Sequence, residues 1–243
     1  MTFVEIHLDT VDSTNTYAKQ HASTFAPDQI TCITAEEQTA GRGRHQKKWL
    51  SPPKVNLLAT FYFHLPLNTL HLISIGQILA FSFATLLLKE QLHPKIKWPN
   101  DVQLNGKKVA GILCETVFHK TFAEIFLGIG ININMERSDL AKIDQPASSL
   151  KVETGKAWDK QDLLKKLQAQ FLEDLEKFKN QGFTPFHSPF ENLLAYKGEK
   201  VRCFDGRREW EGICHSLTND GQLNLFLPNK EIHTVYCGEI KNG

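Results

Sequence analysis

A basic segment with two glycines, at residues 34–49, constrains this chain more than any other stretch. Four fixed cations and a histidine fall within the seven residues from Arg42 to Lys48, and Gly41 and Gly43 alternate with arginines. Glycine lacks a Cβ, so the backbone can bend there and approach a ligand closely. Arginine presents a planar fork that binds two phosphate oxygens at once. The segment therefore predicts a mobile loop that closes over a polyphosphate, with Trp49 adding a flat apolar face.

The alternative for the same segment is a solvated basic surface loop, because runs of cations often bind nucleic acid or no ligand at all. It is not a Walker phosphate loop, since neither GxxxxGK(S/T) nor GxGxxG occurs in the chain. The 28 Lys and Arg residues nearly balance the 27 Asp and Glu residues, leaving a net charge of +1. A general nucleic-acid binder usually carries a basic excess. We therefore expect no DNA partner.

Length and cysteine usage narrow the class of protein further. The 243 residues predict one large domain plus a small one. The five cysteines are odd in number and form no CxxC, which predicts free, mostly buried thiols in a reducing compartment. The ten histidines show no HExxH spacing, so a zinc site is not expected. The N-terminus shows no secretory signal, and the apolar run at 70–88 is interrupted well short of a membrane span of ~20 residues. We expect a cytoplasmic protein with no membrane partner.

The first part of the chain alternates between predicted strands and helices. Alternating apolar residues predict a strand over Phe3–Leu8, and helix-capping residues precede a short helix over Asn15–Phe25. Capping alone is one role for Ser13, Thr14 and Asn15, and lining a small-molecule pocket is the other. Further strands are predicted over 30–35, 55–63 and 122–134, and a helix that covers one face of the sheet over 70–91.

Two features inside the predicted sheet bear on a ligand. Residues 95–115 are predicted to form two strands joined by the Asn-Gly pair at 105–106, a strong hairpin signal. Alternation on the second strand would hold Lys108 on one face. Gly128 and Gly130 lie inside an apolar strand, which glycine weakens unless something packs close to the backbone. That partner is either a flat ligand or a closely packed helix.

In the last third of the chain the pattern of polar and apolar residues changes twice. Residues 138–157 are polar and are expected to be irregular. Apolar residues at three- and four-residue steps then predict a core helix over 159–180, with Asp159 as N-cap and Gly182 as the stop. Four short strands, over 201–204, 209–217, 222–227 and 232–237, are separated by Asp-Gly and Pro-Asn turns and predict a small β-barrel.

Taken in order, the motifs of the chain resemble those of the biotin protein ligases. The matching positions are Ser13-Thr14-Asn15, Gln38 with Gly41-Arg42-Gly43-Arg44 and Trp49, Lys97-Trp98-Pro99-Asn100-Asp101, Lys107-Lys108-Val109-Ala110-Gly111-Ile112-Leu113, Gly128-Ile129-Gly130-Ile131-Asn132 and Gly238-Glu239-Ile240. The pair formed by GRGR…W and KWPND…KVAGIL is the specific part of the resemblance, which covers nearly the whole chain.

This resemblance implies an α+β fold. A catalytic domain similar to the class II aminoacyl-tRNA synthetases, with a mixed sheet and helices, would occupy residues 1–194. An SH3-like β-barrel would follow at residues 195–243. Since the catalytic motifs begin near Phe3, the expected form is a ligase without an N-terminal DNA-binding domain.

The same resemblance implies a two-step reaction. Biotin and ATP would give biotinyl-5′-AMP and pyrophosphate, and biotin would then pass to a lysine of a biotin carboxyl carrier domain, as in acetyl-CoA carboxylase. ATP and Mg²⁺ are the implied cofactors, and the sequence leaves a weak homodimer open.

Site residues follow from the motifs position by position. Lys108 and Arg42 are implied as catalytic, with Lys108 bridging the biotin carboxylate and the α-phosphate. The implied biotin-binding residues are Ser13, Thr14, Asn15, Gln38, Gly41, Arg42, Gly43, Arg44, Trp49, Lys108, Gly111, Gly128 and Gly130. The implied adenylate-binding residues are Arg42, Arg44, Lys47, Trp49, Asn100, Lys108 and Asn132. Asp101 is a candidate ligand for Mg²⁺ that enters with the nucleotide.

Two departures from the family pattern bear on function. The family often reads GRGRxGRxW, whereas Gln46 and Lys47 stand here at the second glycine and the last arginine. Gln46 stiffens the loop and Lys47 cannot form a fork, so weaker loop closure is expected. The family also often carries an arginine soon after GEI, whereas the chain continues Lys241-Asn242-Gly243, which puts a C-terminal contact to the nucleotide in doubt.

Three alternative functions remain open on sequence grounds. A lipoate ligase or octanoyl transferase would share the fold, but the GRGR…W loop and the lack of a cysteine with an obvious base argue against it. A biotin-responsive DNA-binding regulator is opposed by the balanced charge. A non-catalytic carrier-binding module would have no reason to keep Lys108 together with the arginine pair.

Overall fold

A computed structural model describes residues 2–242, without the side chains of Gln46 and Asn242. Its larger sheet has seven strands in the spatial order β1-β2-β3-β7-β6-β5-β4. These strands are β1 (Phe3–Val11), β2 (Ile30–Gln38), β3 (Leu57–Pro66), β4 (Lys95–Lys97), β5 (Asp101–Leu104), β6 (Lys107–Phe118) and β7 (Phe122–Ile131). Only the β1–β2 pair is parallel and the other neighbours are antiparallel, so the sheet is mixed.

The mixed sheet explains where the basic segment lies. The helix α1 (Thr14–His21) connects the parallel strands β1 and β2, as a crossover between parallel strands requires. β2 and β3 are antiparallel neighbours, and the 18 residues between Gln38 and Leu57 connect them at one end of the sheet. The basic loop therefore begins at the end of β2, close to the start of α1.

Two long helices cover one face of this sheet. They are α2 (Ile75–Lys89) and α5 (Lys160–Gln181), and Phe171 of α5 stacks on Phe61 of β3 with ring centroids 5.3 Å apart. Asp159 caps α5 by accepting bonds from the backbone N–H groups of Gln161 and Asp162, and Gly182 follows its end with φ +63°. This confirms the predicted helix, its cap and its stop.

The segment Leu72–Lys89 is long and apolar enough to cross a membrane by length and composition alone. In the fold, 67% of it is buried. Ile78, Leu79 and Phe83 on α2 are fully buried in the main core. Its apolarity is therefore that of a core helix, as the sequence predicted.

The C-terminal sheet has five strands, in the order β11-β10-β9-β8-β12. They are β8 (Lys200–Phe204), β9 (Glu209–Leu217), β10 (Leu223–Phe226), β11 (Ile232–Val235) and β12 (Glu239–Asn242). The sequence predicted only four of them. The fifth, β12, was missed because it is short and finds its partner, β8, far away in the chain rather than across a hairpin. The two sheets confirm the α+β class.

Other predicted boundaries need correction. β2 continues past Ala35 to Gln38, so Gln38 lies on a strand. The strand predicted to end at residue 134 ends at Ile131, and the first helix ends at His21 before a short 3-10 turn.

Residues 138–157 are not wholly irregular. They include most of α3 (Arg137–Leu140) and all of α4 (Leu150–Thr154), and a last helix, α6 (His187–Leu193), follows α5. Single turns such as α3 and α4 carry too little apolar periodicity to be predicted.

One turn of the C-terminal sheet is anchored on α2 and on the segment that contains Trp98. The carbonyl of Gly221 accepts from the Gln77 side chain at 2.7 Å and from the Trp98 indole at 2.9 Å. Ser74 donates to the neighbouring Asp220 carbonyl at 2.5 Å. Gly221 has φ +88°, and an added Cβ would lie 2.4 Å from the Gln77 Oε1. Only glycine fits there, which fixes how the small sheet sits against the segment after Trp98.

A buried carboxyl between α2 and α5 makes stability depend on pH. Asp174 is 2% exposed and accepts from Ser82 at 2.8 Å and Gln170 at 3.0 Å. Burial raises its pKa above the ordinary value, although these two hydrogen bonds act in the opposite direction. The folded state thus holds the proton more tightly than the unfolded chain, so this contribution is complete below the unfolded pKa and is lost as pH rises through the folded one.

We therefore expect Asp174→Asn to remove this loss. Between pH 4.5 and 8 its free energy of unfolding should move upward relative to wild type, by about 1.4 kcal/mol for each unit by which the pKa is raised. Urea unfolding of both proteins across this range measures the effect. Glu173→Gln is the matched control on the same helix, because the Lys177 pair lowers the pKa of Glu173. The control should stay nearly level relative to wild type over this range, because a pKa lowered from 4.5 places the titration of Glu173 below it. Parallel curves for wild type and Asp174→Asn would contradict the expectation.

Candidate active site

A cleft lies under the basic loop, on the face of the seven-stranded sheet opposite α2 and α5. Its floor is formed by β6 and β7, where Gly111 pairs with Gly130 and Leu113 pairs with Gly128. An added Cβ at Gly128 would lie 2.5 Å from the Asn15 Oδ1, and one at Gly111 would lie 2.8 Å from the Lys108 Nζ. The glycines therefore let polar side chains lie directly on the strand backbone, which explains why glycine interrupts an apolar strand.

Trp49 closes the floor from the loop side. An added Cβ at Gly130 would lie 2.5 Å from the Trp49 Cε2, so the indole packs directly against the backbone of this strand. The Lys108 Nζ is 5.4 Å from the ring centroid, within reach of a cation–π contact. The Trp49 Nε1 is buried and has no hydrogen-bond partner among the described residues. A buried donor of this kind is one that a bound group could satisfy.

One end of the cleft is uncharged and finely hydrogen-bonded. The Gln38 Oε1 accepts from the Thr14 backbone N–H at 2.8 Å and from its hydroxyl at 3.0 Å. The Thr60 Oγ1, fully buried, lies 2.8 Å from the Thr14 Oγ1 and 2.6 Å from the Asn15 Oδ1. Ser13 occupies the N-cap position of α1 but makes no side-chain capping bond. These residues therefore line a pocket rather than only cap a helix.

The other end of the cleft is cationic, and carboxylates balance its charges. Lys108 pairs with Asp101 at 2.8 Å. Lys47 pairs with Glu239 of β12 at 2.6 Å. The sequence named Lys108, Lys47 and Asp101 as site residues, but it did not pair Asp101 with Lys108.

A further lysine, Lys97, lies in this cationic end. Burial lowers the pKa of Lys97, while Asp101 and Glu239 act to raise it and Lys108 and Lys47 reinforce the lowering. The side chain lines the cleft. The sequence motif contained Lys97, but no site role was predicted for it.

The basic loop is held down over the cleft. The Arg44 Nη1 donates to the Gly238 carbonyl at 2.8 Å, and Arg42 and Lys48 form an antiparallel bridge. The Gly43 N–H donates to the Lys47 carbonyl at 2.7 Å. The loop is thus a small arc whose cations face the cleft and the C-terminal sheet. The prediction about the Gln46 side chain falls outside the part of the chain that the structure describes.

Most predicted site residues meet in this cleft. Those that line it are Ser13, Thr14, Asn15, Gln38, Arg42, Gly43, Arg44, Lys47, Trp49, Asn100, Asp101, Lys108, Gly111, Gly128 and Gly130. Two predicted residues are not among its lining. Gly41 is buried beside the Gln38 side chain, and the Asn132 Nδ2 donates to the Ser148 carbonyl at 3.0 Å behind the strand end.

Some residues at the cleft were not predicted. They are Thr60, Lys97, Glu115, Gln145 and Glu239. Glu115 follows Gly111 and Leu113 at every second position of β6, so strand alternation could have found it. Nothing in the local sequence around Gln145 or Thr60 signals their position, because each reaches the site through distant strand and loop packing.

The described part of the chain contains no group of three or more His, Cys, Asp or Glu side chains that could hold a metal ion. The carboxylates lining the cleft are Asp101 and Glu239, and both pair with lysines. A metal in this cleft would need most of its ligands from a bound molecule.

Comparison with known proteins identifies relatives over nearly the whole chain. A model of the Biotin/lipoate A/B protein ligase family matches residues 8–132. The bifunctional ligase/repressor BirA of Escherichia coli is 33% identical over 221 residues, which are 90% of this chain and 68% of that protein. The biotin–acetyl-CoA-carboxylase ligase of Paracoccus denitrificans is 30% identical over 89% of this chain and 92% of its own. A solved biotin protein ligase from Aquifex aeolicus, in complex with biotin and ATP, is 32% identical with a TM-score of 0.83, covering 98% and 97% of the two chains.

The close approach of Trp49 to the floor can be tested by adding one methyl group. Gly130→Ala should push the indole off the strand, because the new Cβ would overlap its ring. We expect an altered near-UV circular dichroism spectrum with an unchanged far-UV spectrum. Gly76→Ala in α2 is the matched control, since its Cβ would meet its nearest neighbour at an ordinary 3.4 Å. If the two variants give the same near-UV spectrum as wild type, the indole does not lie on Gly130.

Proposed function

The chain belongs to the biotin/lipoate A/B protein ligase family, and we propose that it is a biotin protein ligase that makes biotinyl-5′-AMP and passes the biotin to a carrier lysine. One observation carries this proposal. A single cleft joins an uncharged, hydrogen-bonding end to a cationic end across a glycine floor. Such a cleft suits a substrate with a neutral ring and an acid group, bound next to a nucleotide.

The uncharged end suits the ureido ring of biotin. That ring carries N–H donors and a carbonyl acceptor, all of which need partners once they are buried. Ser13, Thr14, Asn15 and Gln38 offer hydroxyl and amide groups at this end. The face of Trp49 and the backbone of Gly128 and Gly130 give the apolar part of the ligand two flat walls.

The cationic end suits the first chemical step. The biotin carboxylate attacks the α-phosphate of ATP, and pyrophosphate leaves. Two anions must approach each other, so a cation between them lowers the barrier. Lys108 takes this role, since it lies over the floor at Gly111 with 16% of its side chain exposed, and Asp101 fixes its position. Arg42 lies 3.6 Å from Glu115 at the other end of the cleft, so its catalytic role stays a prediction.

The remaining cations suit the phosphates. Arg44 and Lys47 of the loop and Lys97 of β4 line the same end and would neutralise the triphosphate and the departing pyrophosphate. Asn100 lines the cleft beside them and suits a contact to the adenylate. For Gly41 and Asn132 the predicted ligand contacts stay predictions, because neither residue lines the cleft.

Mg²⁺ enters this scheme with the nucleotide. Magnesium usually keeps waters and phosphate oxygens as ligands and takes one or two protein carboxylates. Asp101 is the carboxylate in the cleft that would supply one such ligand, alongside its contact with Lys108. This agrees with the lack of a three-ligand metal cluster in the described residues.

In the second step a lysine amine of a carrier domain attacks the mixed anhydride and AMP leaves. The closed loop keeps water away from the anhydride meanwhile. A biotin carboxyl carrier domain of a biotin-dependent carboxylase is the partner we propose, and the cytoplasm is the compartment. The five free thiols support a reducing compartment.

The rival functions have weaker support. An octanoyl transferase needs a nucleophile, and no cysteine is among the residues that line the cleft in the described chain. Cys114, the nearest on β6, has its pKa raised to about 11 by burial, which disfavours the reactive thiolate. A net charge of +1 gives no support to DNA binding.

The test is pyrophosphate exchange into ATP and mass spectrometry for biotinyl-AMP, with biotin and lipoate as alternative acids. We expect exchange with biotin only. Lys108→Ala should lower the rate by about 10²–10³-fold, as for the loss of one preorganised electrostatic contact in a dry site. Lys107→Ala is the matched control, since Lys107 is exposed on the same strand and points to the other face. Exchange with lipoate, or equal rates for the two variants, would refute the proposal.

The unusual loop sequence gives a second test. The double variant Gln46→Gly and Lys47→Arg should lengthen the half-life of the enzyme-bound adenylate, because a fork can hold Glu239 and a phosphate at once. Hydrolysis of biotinyl-AMP in the absence of a carrier measures this directly. Lys48→Arg on the same loop is the control. Equal half-lives for the double variant and wild type would show that loop closure does not depend on these positions.

A further inference from the structure

Glu115 stands at the border of the candidate biotin pocket, yet it does not line the cleft itself. On β6, residues Gly111, Leu113 and Glu115 follow each other at every second position, so Glu115 points to the face that carries the floor. It pairs across the sheet with Phe126 of β7, two residues beyond the pair formed by Leu113 and Gly128 and on the same face. The carboxylate is therefore held just beyond the uncharged end of the cleft.

Three side chains, from α1 and from the basic loop, converge on this carboxylate. Lys19 of α1 approaches its Oε1 at 2.6 Å, and the Asn15 Nδ2 donates to its Oε2 at 2.9 Å. The Nη2 of Arg42, from the basic loop, lies 3.6 Å from its Oε1. Burial acts to raise the pKa of Glu115, but the hydrogen bonds from Lys19 and Asn15 and the nearby charges outweigh it and lower the pKa. The group is thus ionised, accepts hydrogen bonds from Lys19 and Asn15, and forms an ion pair with Arg42.

We propose that Glu115 is a positioning residue for biotin binding, which orients the amide of Asn15 and holds Arg42 at the pocket. This rests on the proposed function, because it concerns how that same pocket meets its substrate. Glu115 does not touch the substrate and acts through Asn15 and Arg42.

The orientation of the Asn15 amide follows from its two sides. Its Nδ2 faces acceptors only, the Glu115 carboxylate and the Leu113 carbonyl, at 2.9 and 3.3 Å. Its Oδ1 therefore faces the Thr60 hydroxyl at 2.6 Å, and Thr60 in turn contacts Thr14. An ionised carboxylate only accepts hydrogen bonds, so it cannot tolerate the flipped amide. Glu115 thereby sets which atoms of the pocket wall donate and which accept.

Glutamine at position 115 would weaken this constraint, because only the longer hydrogen bond to the Leu113 carbonyl would then favour the present amide orientation. Its side-chain amide both donates and accepts, so Asn15 could flip and reverse the hydrogen-bond direction through Thr60 and Thr14. The charge that holds Arg42 would also be lost. Both changes weaken the biotin end, whereas the contacts of Arg44, Lys47 and Lys97 at the phosphate end do not involve Glu115.

The test is Glu115→Gln in the full chain, with biotin binding measured by isothermal titration calorimetry and KM measured for biotin and for ATP. We expect the Kd and KM for biotin to rise about tenfold or more, since a charge-assisted bond is lost. The KM for ATP should stay within about twofold of wild type, because the cations at the phosphate end do not contact Glu115. Glu124→Gln is the matched control, because Glu124 lies on the neighbouring strand β7 and accepts from Tyr62 outside the cleft. This control should leave both KM values unchanged.

A second measurement separates positioning from general stability. Asn15→Ala and the double variant Asn15→Ala with Glu115→Gln complete a double-mutant cycle for biotin affinity. If Glu115 acts through Asn15, the double variant should bind biotin about as weakly as Asn15→Ala, apart from the part lost through Arg42. Additive losses would overturn the role, as would wild-type biotin affinity in Glu115→Gln.

Glu115→Asp keeps the charge and shortens the side chain, and it stands in if the glutamine variant does not fold. We expect it to bind biotin more weakly than wild type with an unchanged KM for ATP, and wild-type affinity would count against the proposal. A wild-type protein that binds no biotin would instead contradict the proposed function itself. The two failures are therefore distinguishable.

Discussion

The site depends on a balance between cations and the carboxylates that hold them. Lys108, Lys47 and Arg42 each lie close to one acidic side chain, respectively Asp101, Glu239 and Glu115. Without these partners, several positive groups would stand close together in a cleft that is partly withdrawn from water, where like charges repel more strongly. The carboxylates also fix where each cation points. The anions of a substrate then meet cations that are already oriented, which is the condition for electrostatic catalysis without reorganisation.

The sheet explains how cations from distant parts of the chain reach one cleft. β6 brings Lys108, the loop between β2 and β3 brings Arg42, and β4 brings Lys97. The small C-terminal sheet also contributes to the arrangement. Its last strand offers Glu239 to the loop, and its turn at Gly221 is anchored on the indole of Trp98, next to Asn100. The small sheet therefore supplies a side chain to the site and also supports the segment that carries Asn100.

Much of this could be predicted from sequence, for identifiable reasons. The hairpin at residues 105–106 and the cap of α5 at Asp159 depend on neighbours in the chain, so local chemistry sufficed. The convergence of the GRGR loop with Lys108 was implied by the resemblance to the biotin protein ligases, and the structure brings these residues together. The Glu239 and Thr60 contacts were missed because they arise between segments far apart in the chain. The pairing of Lys108 with Asp101 was missed because the hairpin sets it through a bulge in the register between Val102 and Gln103.

The exposure of each ion pair divides the cations into two groups. The Lys47 side chain is 56% exposed, and an exposed pair contributes little to stability, commonly less than about 1 kcal/mol. Such a contact can be exchanged for a phosphate without a large loss of stability, which suits the predicted closing of the loop over a nucleotide. Lys108 and Asp101 are only 16% and 19% exposed and stand on adjacent strands of one sheet, so they cannot move far apart. A gate must be weakly held, and a group that bridges two reacting anions must be rigid. The exposed Lys47 pair holds the loop weakly, and the half-buried Asp101 pair holds Lys108 rigidly.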